Sequence, residues 1–440
     1  MEMQIAQHYG VIGLGRSGLA TVQYLLRQGI TPVVFDTREN PVLAEQLPAQ
    51  VSLFKGQLEL FESELMALDT LIVAPGLSVR SELFARLRSA GKAIMGDVEL
   101  FARHCDAPVI GITGSNGKTT VTTLVGQMAK ASGVKVEVGG NIGTPVLELL
   151  GHDAKLYVLE LSSFQLETTD SLQLLAATVL NVSSDHMNRY RDLADYRDAK
   201  RRIYQHCQTC LVNADDLATT PEHADTQTIK QFSLNQRADY WVFKDHDEYW
   251  LMAGQVKLIA CSELKMSGRH NWANALAAVA LGDAAGLKRS AMIEVLRTFG
   301  GLTHRCEFIT EFEGVRYIND SKATNIGATI AALQGFEHET GQTWLIAGGD
   351  GKGADFTELA PWLAKTAGVA IFGQDADQIA NVYPQAHRVK DLAEAIDYLA
   401  TQAQSGDRIL LSPACASWDM YPGFAARGEH FRALVEGLCS

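Results

Sequence analysis

The stretch APVIGITGSNGKTTVTTLVGQMA, residues 107–129, leads from an apolar strand through a glycine-rich loop into a helix. A strict phosphate-binding loop begins with the first glycine of the pattern G-x-x-x-x-G-K-T, and Ile112 occupies that position here. The physical requirements of a phosphate cradle are still met, because the glycines let backbone N–H groups turn inward and Lys118 stands at the helix start. The stretch therefore predicts phosphate binding, with Thr119 placed to ligate a magnesium ion that bridges phosphates.

The loop alone leaves other interpretations open. A glycine-rich turn with a solvated lysine has the same local sequence, and a non-enzymatic binding protein could use the loop as a nucleotide-gated switch. A GTP-binding switch is disfavoured because the sequence contains no Asn-Lys-x-Asp segment, and residues 213–216 read NADD.

Length and composition restrict the class of protein. The 440 residues exceed what one hydrophobic core usually organises, and 47% hydrophobic with 20% charged residues is typical of a globular chain. The formal net charge of −13 disfavours binding to nucleic acid or to an anionic membrane. Because no apolar run approaches the ~20 residues of a transmembrane helix and no basic leader precedes the first strand, we expect a cytoplasmic protein without a membrane span, and a monomer.

The seven cysteines are scattered and predict no disulfide framework. Cys207 and Cys210 have C-x-x-C spacing, but no second pair is nearby and the following residues are apolar, which favours buried cysteines over a metal or redox site. Cys415 lies between two alanines at a strand exit and is interpreted as a packing residue.

Strand-like apolar runs alternate with helical patterns along the whole chain, which is typical of an α/β protein with parallel sheets. We expect a Rossmann-like N-terminal domain, a central domain that resembles P-loop ATPases, and a C-terminal Rossmann-like domain. The predicted boundaries are residues 1–96, 97–301 and 302–440. A site assembled in the clefts between them is expected.

The central domain is predicted to combine a mainly parallel sheet with a small antiparallel sheet. Three segments are assigned to the antiparallel part because they are short, aromatic and β-branched and are separated by turn residues. These segments are TCLVNA (209–214), DYWVFK (239–244) and EYWLMA (248–253).

A second glycine motif, GLGRSG at residues 13–18, follows a strand and precedes a helix, and Asp36 ends the next strand. Taken by itself, this pattern predicts dinucleotide binding and an NAD-dependent oxidoreductase. The motif describes a pyrophosphate at a helix N-terminus, so it accommodates a UDP group equally well.

Two residues at strand exits are candidate magnesium ligands. Glu160 ends the strand KLYVLEL and His186 follows the strand AATVLNV, where parallel strands deliver side chains to one crevice. Either residue could instead be satisfied by a local hydrogen bond. Their shared location beside the phosphate loop favours metal binding.

Several motifs together resemble the Mur ligase family, the ATP-dependent amide-forming enzymes of peptidoglycan precursor synthesis. They include TGSNGKTT (113–120), LELSSFQLE (159–167), NVSSDHMNRY (181–190), NDSKATN (319–325), GGDGKG (348–353) and SPACASWD (412–419). The resemblance covers the whole chain, and this family writes its phosphate loop as TGxNGKTT, which accounts for Ile112. The chain looks most like the members that add D-glutamate to UDP-N-acetylmuramoyl-L-alanine and form ADP, although another amino-acid ligase of the family is an alternative.

The resemblance implies three binding sets. The residues implied to bind ATP are Gly114, Ser115, Asn116, Gly117, Lys118, Thr119, Thr120, Asn274, Arg305 and Asp320. The residues implied to bind the UDP substrate are Gly15, Arg16, Ser17, Asp36, Thr37, Arg38, Gly76 and Asn141. The residues implied to bind D-glutamate are Lys322, Thr324, Lys352, Ser417 and Phe424.

The resemblance also implies two magnesium ions. Thr119 and Glu160 would hold one, and His186 would contribute to the second. Lys200, in YRDAKRRIY, matches a lysine that the family carbamylates, so that it supplies an anionic oxygen ligand, whereas the sequence alone favours an exposed helix lysine. The implied catalytic residues are Lys118, Asn141, His186 and Lys200.

Overall fold

The protein is described by a computed structural model that covers residues 8–187, 189–222, 227–266, 268–337 and 340–438. Within these ranges the strands form three sheets of five, nine and six strands. The sheets follow one another along the chain, and helices cover them. The structure confirms the predicted α/β class.

The first sheet is wholly parallel, with its strands in the order β3-β2-β1-β4-β5. Its elements are β1 (Tyr9–Ile12), α1 (Arg16–Arg27), β2 (Val33–Asp36), β3 (Leu53–Lys55), α2 (Glu62–Met66), β4 (Thr70–Val73), α3 (Glu82–Ser89), β5 (Ala93–Met95) and α4 (Asp97–Ala102). A Cβ at Gly18 would lie 1.9 Å from the carbonyl oxygen of Gly13. Glycine is therefore required for α1 to pack this closely on the loop after β1.

The central sheet has the order β14-β13-β12-β11-β10-β9-β6-β8-β7. Its strands are β6 (Val109–Thr113), β7 (Val136–Gly140), β8 (Leu156–Glu160), β9 (Leu174–Val179), β10 (Cys207–Asn213), β11 (Thr228–Ser233), β12 (Tyr240–Asp245), β13 (Glu248–Ala253) and β14 (Val256–Ala260). Its helices are α5 (Lys118–Ala131), α6 (Ser163–Leu166), α7 (Leu193–Arg201), α8 (Arg269–Ala284) and α9 (Arg289–Thr298).

One expectation for this sheet is wrong. Residues 209–213 of the first segment belong to β10, which pairs in parallel with both β9 and β11. Cys210, Leu211 and Val212 are buried, as expected for a strand with neighbours on both sides. The antiparallel pairs are β12 with β13 and β13 with β14, and they extend the edge of the same sheet.

The C-terminal sheet has the order β15-β16-β20-β17-β18-β19, with an antiparallel pair at β15 and β16 and parallel pairs elsewhere. Its strands are β15 (Glu307–Phe312), β16 (Val315–Asn319), β17 (Thr343–Gly348), β18 (Gly368–Phe372), β19 (His387–Arg388) and β20 (Arg408–Leu411). Its helices are α10 (Ile326–Phe336), α11 (Ala360–Leu363), α12 (Ala376–Val382), α13 (Leu392–Ala400) and α14 (Phe424–Gly437).

Apolar packing joins the first sheet to the central one. A single buried cluster includes Val11 and Ile72 of the first sheet together with Val146, Tyr157 and Leu174 of the central region. A second cluster lies where α5 and α8 pack on the central sheet, and the C-terminal sheet has apolar clusters of its own. Within the described ranges, no helix has both the length and the apolar composition that a membrane crossing requires.

Candidate active site

The phosphate loop connects β6 to α5, at the carboxyl end of the central sheet. Lys118 Nζ donates hydrogen bonds to the carbonyl oxygens of Gly114 at 2.7 Å and Ser115 at 2.9 Å. Gly117 has a φ of 84°, and a Cβ there would lie 2.5 Å from Asn274 Oδ1, so glycine is needed between the loop and α8. Burial lowers the pKa of Lys118. The loop thus has the strand, glycine and helix order that the sequence predicts.

Asn181, at the exit of β9, supports this loop and was not among the expected site residues. Its backbone oxygen accepts from the N–H of Ser115 at 2.9 Å, and its Oδ1 accepts from the N–H of Asn116 at 2.8 Å. Its Nδ2 donates to the carbonyl of Asn116 at 3.1 Å. The side chain therefore fixes the loop conformation beside the neighbouring strand.

Glu160 ends β8 next to the loop and is 1% exposed. Its Oε1 accepts from Asn141 Nδ2 at 2.7 Å, while its buried Oε2 has no hydrogen-bond partner among the described residues. A buried carboxylate oxygen without a partner is costly unless a cation or another donor meets it. Glu160 therefore fits the role of a magnesium ligand. No cluster of three His, Cys, Asp or Glu side chains suited to a metal occurs in the described part of the chain. The magnesium ligands implied by the resemblance, Thr119, Glu160 and His186, do not require such a cluster, because one of them is a threonine and they are divided between two ions.

Lys200 is buried, with 1% of its surface exposed, so the alternative of an exposed helix lysine is wrong. Its Nζ donates to the carbonyl of Gly114 at 2.9 Å and lies 4.2 Å from the centroid of the Tyr196 ring. Burial, followed by the nearby charge of Lys118, lowers the pKa of Lys200 well below its usual range. The neutral amine is the form of lysine that reacts as a nucleophile.

His186 follows β9 in a left-handed backbone conformation, with a φ of 57°. Its ring packs edge-on against Phe164 at 4.9 Å between centroids, and burial lowers its pKa to about 4. The imidazole is therefore neutral at physiological pH, which is the state that a metal ligand requires.

Asp185 precedes His186, and the sequence analysis did not predict it as a site residue. Its Oδ1 lies 2.6 Å from Lys352 Nζ, in a contact that joins the central and C-terminal regions. Burial opposes the charged form, but the charge and hydrogen bond of Lys352, together with the charge of Lys118, favour it and lower the pKa of Asp185. The carboxylate remains charged at neutral pH and forms an ion pair with Lys352, one of the residues expected to hold D-glutamate.

A cavity of about 550 Å³ lies between the central and C-terminal sheets. Six of the ten residues expected to bind ATP line it: Asn116, Gly117, Thr120, Asn274, Arg305 and Asp320. Arg305 also crosses to the phosphate loop, where its Nη2 donates to Thr119 Oγ1 at 2.6 Å. Gly114, Ser115, Lys118 and Thr119 belong to the same loop and first helical turn. Further lining residues not expected from the sequence include Phe232, His270 and Asn271.

Asp320 lies deep in this cavity, with 8% of its surface exposed. Its Oδ2 accepts from Ser412 Oγ at 2.8 Å and its Oδ1 from the N–H of Cys306 at 3.1 Å. Burial raises its pKa to about 7.

The residues expected to bind D-glutamate are more dispersed. Lys322 lines the same cavity, and its Nζ lies 3.8 Å from the centroid of the Phe424 ring. Burial, together with the charges of Arg305 and Lys118, lowers the pKa of Lys322 to about 8. Ser417 is buried, and the N–H of Thr324 donates to the carbonyl of Lys322 at 2.8 Å.

A second cavity, of about 470 Å³, lies at the carboxyl end of the first sheet. All eight residues expected to hold the UDP substrate line it: Gly15, Arg16, Ser17, Asp36, Thr37, Arg38, Gly76 and Asn141. Arg16 closes one side, since its Nη2 donates to the carbonyl of Gly143 at 2.9 Å. Asn141 also contacts Glu160, so this cavity reaches the predicted magnesium site.

Asp36 bears on the alternative of dinucleotide binding. Its Oδ2 accepts from the N–H of Leu14 at 2.7 Å and from Arg38 Nη2 at 2.7 Å. Its Oδ1 accepts from the backbone N–H of Arg38 at 2.9 Å and from its Nε at 2.8 Å. In a dinucleotide site the corresponding carboxylate accepts from ribose hydroxyls. Here Arg38 donates hydrogen bonds to both oxygens of Asp36, which disfavours the dinucleotide interpretation.

The cysteines contribute packing. Cys207, Cys210 and Cys415 are buried and form no disulfide. Burial raises the pKa of the Cys415 thiol to about 12, so it is protonated and unreactive at neutral pH.

Comparison with known proteins covers most of the chain. Residues 7–96 match the Mur ligase MurD-like N-terminal domain, residues 112–282 match the Mur ligase middle domain, and residues 304–415 match the Mur ligase glutamate ligase domain. Each of the three matched segments corresponds to one of the three sheets.

Two similar proteins are both named UDP-N-acetylmuramoylalanine–D-glutamate ligase. That of Marinobacter nauticus is 50% identical over 438 residues, and that of Escherichia coli strain K12 is 48% identical over 431 residues. In both cases the match covers 97% of this chain and 98% of the relative. Among solved structures, a pseudomurein peptide ligase type C from Methanothermus fervidus has a TM-score of 0.64 at 18% identity, covering 98% of this chain and 100% of that chain. The chain belongs to the Mur ligase family.

Proposed function

We propose that the protein is an ATP-dependent amide ligase that adds D-glutamate to UDP-N-acetylmuramoyl-L-alanine, with formation of ADP, during peptidoglycan precursor synthesis. Mur ligases are ATP-dependent. The observation that carries the proposal is the 50% identity, over 97% of the chain, to a protein named for this reaction. The lining of the two cavities supports it as well, because one contains six of the ten residues expected to bind ATP and the other contains all eight expected to hold the UDP substrate.

The proposed reaction begins at the carboxylate of the UDP-linked substrate. A carboxylate is a poor electrophile, so transfer of the γ-phosphoryl group of ATP must first convert it to an acyl phosphate. The amine of D-glutamate then attacks the carbonyl carbon, and phosphate leaves from the tetrahedral intermediate. Because the transferred group and its acceptor are both anionic, stabilising positive charge is the main requirement of the first step.

Positive groups in the described structure suit that requirement. Lys118 lies against the phosphate loop, and Arg305 reaches Thr119 from the segment that leads into the C-terminal sheet. We propose that Asn274 contacts the adenine, that Arg305 contacts the γ-phosphate side of ATP and that Asp320 contacts the ribose. In this arrangement the lysine and the arginine approach the transferring phosphoryl group from two directions.

We further propose two magnesium ions, one held by Thr119 and Glu160 and one to which His186 contributes. Magnesium, when bound, supplies positive charge that neutralises the phosphate oxygens. The orphaned Oε2 of Glu160 and the neutral ring of His186 support these assignments. Lys200 is proposed to carry a carbamate, formed when its neutral amine adds to carbon dioxide with loss of a proton. Its burial and its lowered pKa favour the amine that this addition needs.

The substrates are assigned to three proposed domains, residues 1–96, 97–301 and 302–440. The first would hold the UDP group through Arg16, Asp36, Arg38 and their neighbours, and Asn141 would guide the reacting carboxyl toward the phosphate loop. The last would hold D-glutamate, whose two carboxylates suit Lys322 and Lys352. Since ATP and UDP-linked precursors are cytoplasmic metabolites, the proposed reaction belongs in the cytoplasm.

One assay tests the reaction and its closest alternatives. ADP formation is measured with L-alanine, D-glutamate, L-lysine and diaminopimelate, each with the matching UDP-linked acceptor. We expect turnover only with D-glutamate and UDP-N-acetylmuramoyl-L-alanine together. Turnover with a different pair would assign another reaction of the family, and ATP hydrolysis independent of both substrates would refute the ligase. A fluorescence titration in which NADH binds and the UDP substrate does not would favour the oxidoreductase instead.

A further inference from the structure

Asn325 lies where the C-terminal sheet approaches the phosphate loop. It ends the motif NDSKATN (319–325), but the proposed binding sets do not include it. It is 7% exposed and forms the N-cap of α10, since its Oδ1 accepts from the N–H of Ala328 at 2.9 Å. Capping uses only one of the side-chain positions that can form hydrogen bonds.

The remaining positions are directed at the central region. Asn325 and Asn116 exchange hydrogen bonds through their amides, Nδ2 to Oδ1 in each direction, at 3.3 Å. Asn325 Nδ2 also donates to Asp185 Oδ2 at 3.2 Å. An asparagine amide has two N–H donors and two acceptor lone pairs, and all four are used here. A cap alone does not require this residue type, because serine and aspartate cap helices equally well.

The two partners lie on functionally different loops. Asn116 belongs to the phosphate loop, while Asp185 precedes His186 and pairs with Lys352. The contact is close, because a Cβ at Gly327 would lie 2.6 Å from Ser183 Oγ and 3.5 Å from Asn116 Nδ2. The first turn of α10 is thus seated directly on both loops through one amide.

We propose that Asn325 is a positioning residue that holds the C-terminal region against the loaded phosphate loop. The inference rests on the proposed ligase function. An acyl phosphate is attacked by water as well as by an amine, and attack by water gives back the carboxylate and releases phosphate. Exclusion of water therefore depends on how firmly the amino-acid-binding region is seated. Through its hydrogen bonds to Asn116 and Asp185, Asn325 holds the C-terminal region in contact with the loops that would bind ATP and metal.

The principal test is Asn325→Ser, which keeps a capping oxygen but is too short to reach Asn116 and Asp185. Phosphate release and amide formation are measured in the same reaction at saturating substrates. We expect kcat for amide formation to fall about 10-fold, the loss that one hydrogen bond to a charged group corresponds to, and the ratio of phosphate to amide to rise. Overall destabilisation would lower both rates together and leave the ratio unchanged.

A second variant reaches the same contact without touching the cap. Gly327→Ala favours the helix by propensity but places a methyl group against Ser183 and Asn116. We expect the same rise in the ratio. The matched control is Asp391→Ala, which removes the N-cap of α13 through the lost bond to the N–H of Glu394 and lies outside the proposed binding sets. Its ratio should equal that of the wild type.

The outcomes separate the two proposals. Wild-type protein that makes no amide from D-glutamate refutes the proposed function. Active wild-type protein, combined with Asn325→Ser and Gly327→Ala variants that keep kcat and the phosphate-to-amide ratio within about twofold, refutes the positioning role. An equal rise in the ratio in Asp391→Ala would also refute that role, because this variant leaves the contacts of Asn325 intact.

Discussion

Replacing Asp36 with asparagine tests how the first cavity is organised. The carboxylate accepts from the buried N–H of Leu14 and from three donors of Arg38. An amide has only one oxygen, so whichever way it turns, its NH₂ group faces two of these donors. If the NH₂ group occupies the Oδ2 position, the N–H of Leu14 and Nη2 of Arg38 lose their acceptor. In the other orientation both donors that are lost belong to Arg38.

The size of the effect follows from the burial of the donors. Leu14 is fully buried, and a buried N–H left without an acceptor costs about 1–3 kcal/mol. The Arg38 side chain is 50% exposed, so water replaces much of what it loses and its share is small. The amide therefore turns its oxygen toward Leu14 and leaves the two donors of Arg38 without an acceptor, at a cost of about 1 kcal/mol, which corresponds to roughly a fivefold change in an equilibrium constant. We expect this change in the KM for the UDP substrate, because binding must then order the Arg38 side chain that lines the cavity.

The assay is steady-state kinetics in which each substrate is varied in turn. For Asp36→Asn we expect a raised KM for the UDP substrate, with kcat and the KM values of ATP and D-glutamate close to those of the wild type. Asp69→Asn is the matched control, since this carboxylate directly precedes β4 of the same sheet but accepts from the N–H of His8 and is 46% exposed. An unchanged KM in Asp36→Asn would show that the carboxylate does not organise the cavity, and a loss of kcat alone would refute the assignment of the cavity to substrate binding.

Three further perturbations test the remaining assignments. Lys200→Ala should abolish most activity, and intact-mass analysis of the wild type in bicarbonate should show the added mass of one carbon dioxide; an unmodified wild type together with a fully active variant would refute the carbamate. Lys352→Ala should raise the KM for D-glutamate about 10-fold or more, whereas an unchanged KM would remove Lys352 from that site. For Asp320, the folded pKa of about 7 exceeds the unfolded value of about 4, so folded protein binds the extra proton and stability falls as pH rises between these values. The unfolding temperature of Asp320→Asn should therefore rise relative to the wild type from about pH 4 to about pH 7, and a difference that is constant with pH would contradict the raised pKa.

The phosphate loop could be predicted from sequence because its determinants are local. Strand, glycines, lysine and helix follow one another within 107–129, and Gly117 keeps its left-handed φ in the structure. The direction of the strand at 209–214 could not be predicted in the same way, because parallel pairing with β9 and β11 depends on residues far along the chain. Its shortness and flanking turn residues suggested an antiparallel strand, but neither property determines the direction of pairing.

Burial of charged side chains was the other property that local sequence did not predict. Lys200 stands among arginines on a polar helix, yet its Nζ reaches the carbonyl of Gly114, 86 positions earlier in the chain. Asp185 and Asn325 lay inside quoted motifs without an assigned role, because their partners come from other sheets. Only the meeting of the central and C-terminal regions reveals what these polar groups contact.

Contacts between distant parts of the chain also explain how the dispersed residues expected to bind D-glutamate can form one site. Arg427 is fully buried, and its guanidinium donates to the backbone carbonyls of Ser321 at 2.9 Å and Cys415 at 3.1 Å, and to Ser321 Oγ at 3.0 Å. It also reaches the carbonyl of Ala416 at 3.3 Å. Ser321 precedes Lys322 and Ala416 precedes Ser417, so one side chain fixes the relative positions of two loops that carry proposed ligands. Burial lowers the pKa of Arg427 to about 10, which still leaves it charged at neutral pH. Five donors in a rigid plane suit this role better than the single ammonium of lysine, because several carbonyls must be held at once.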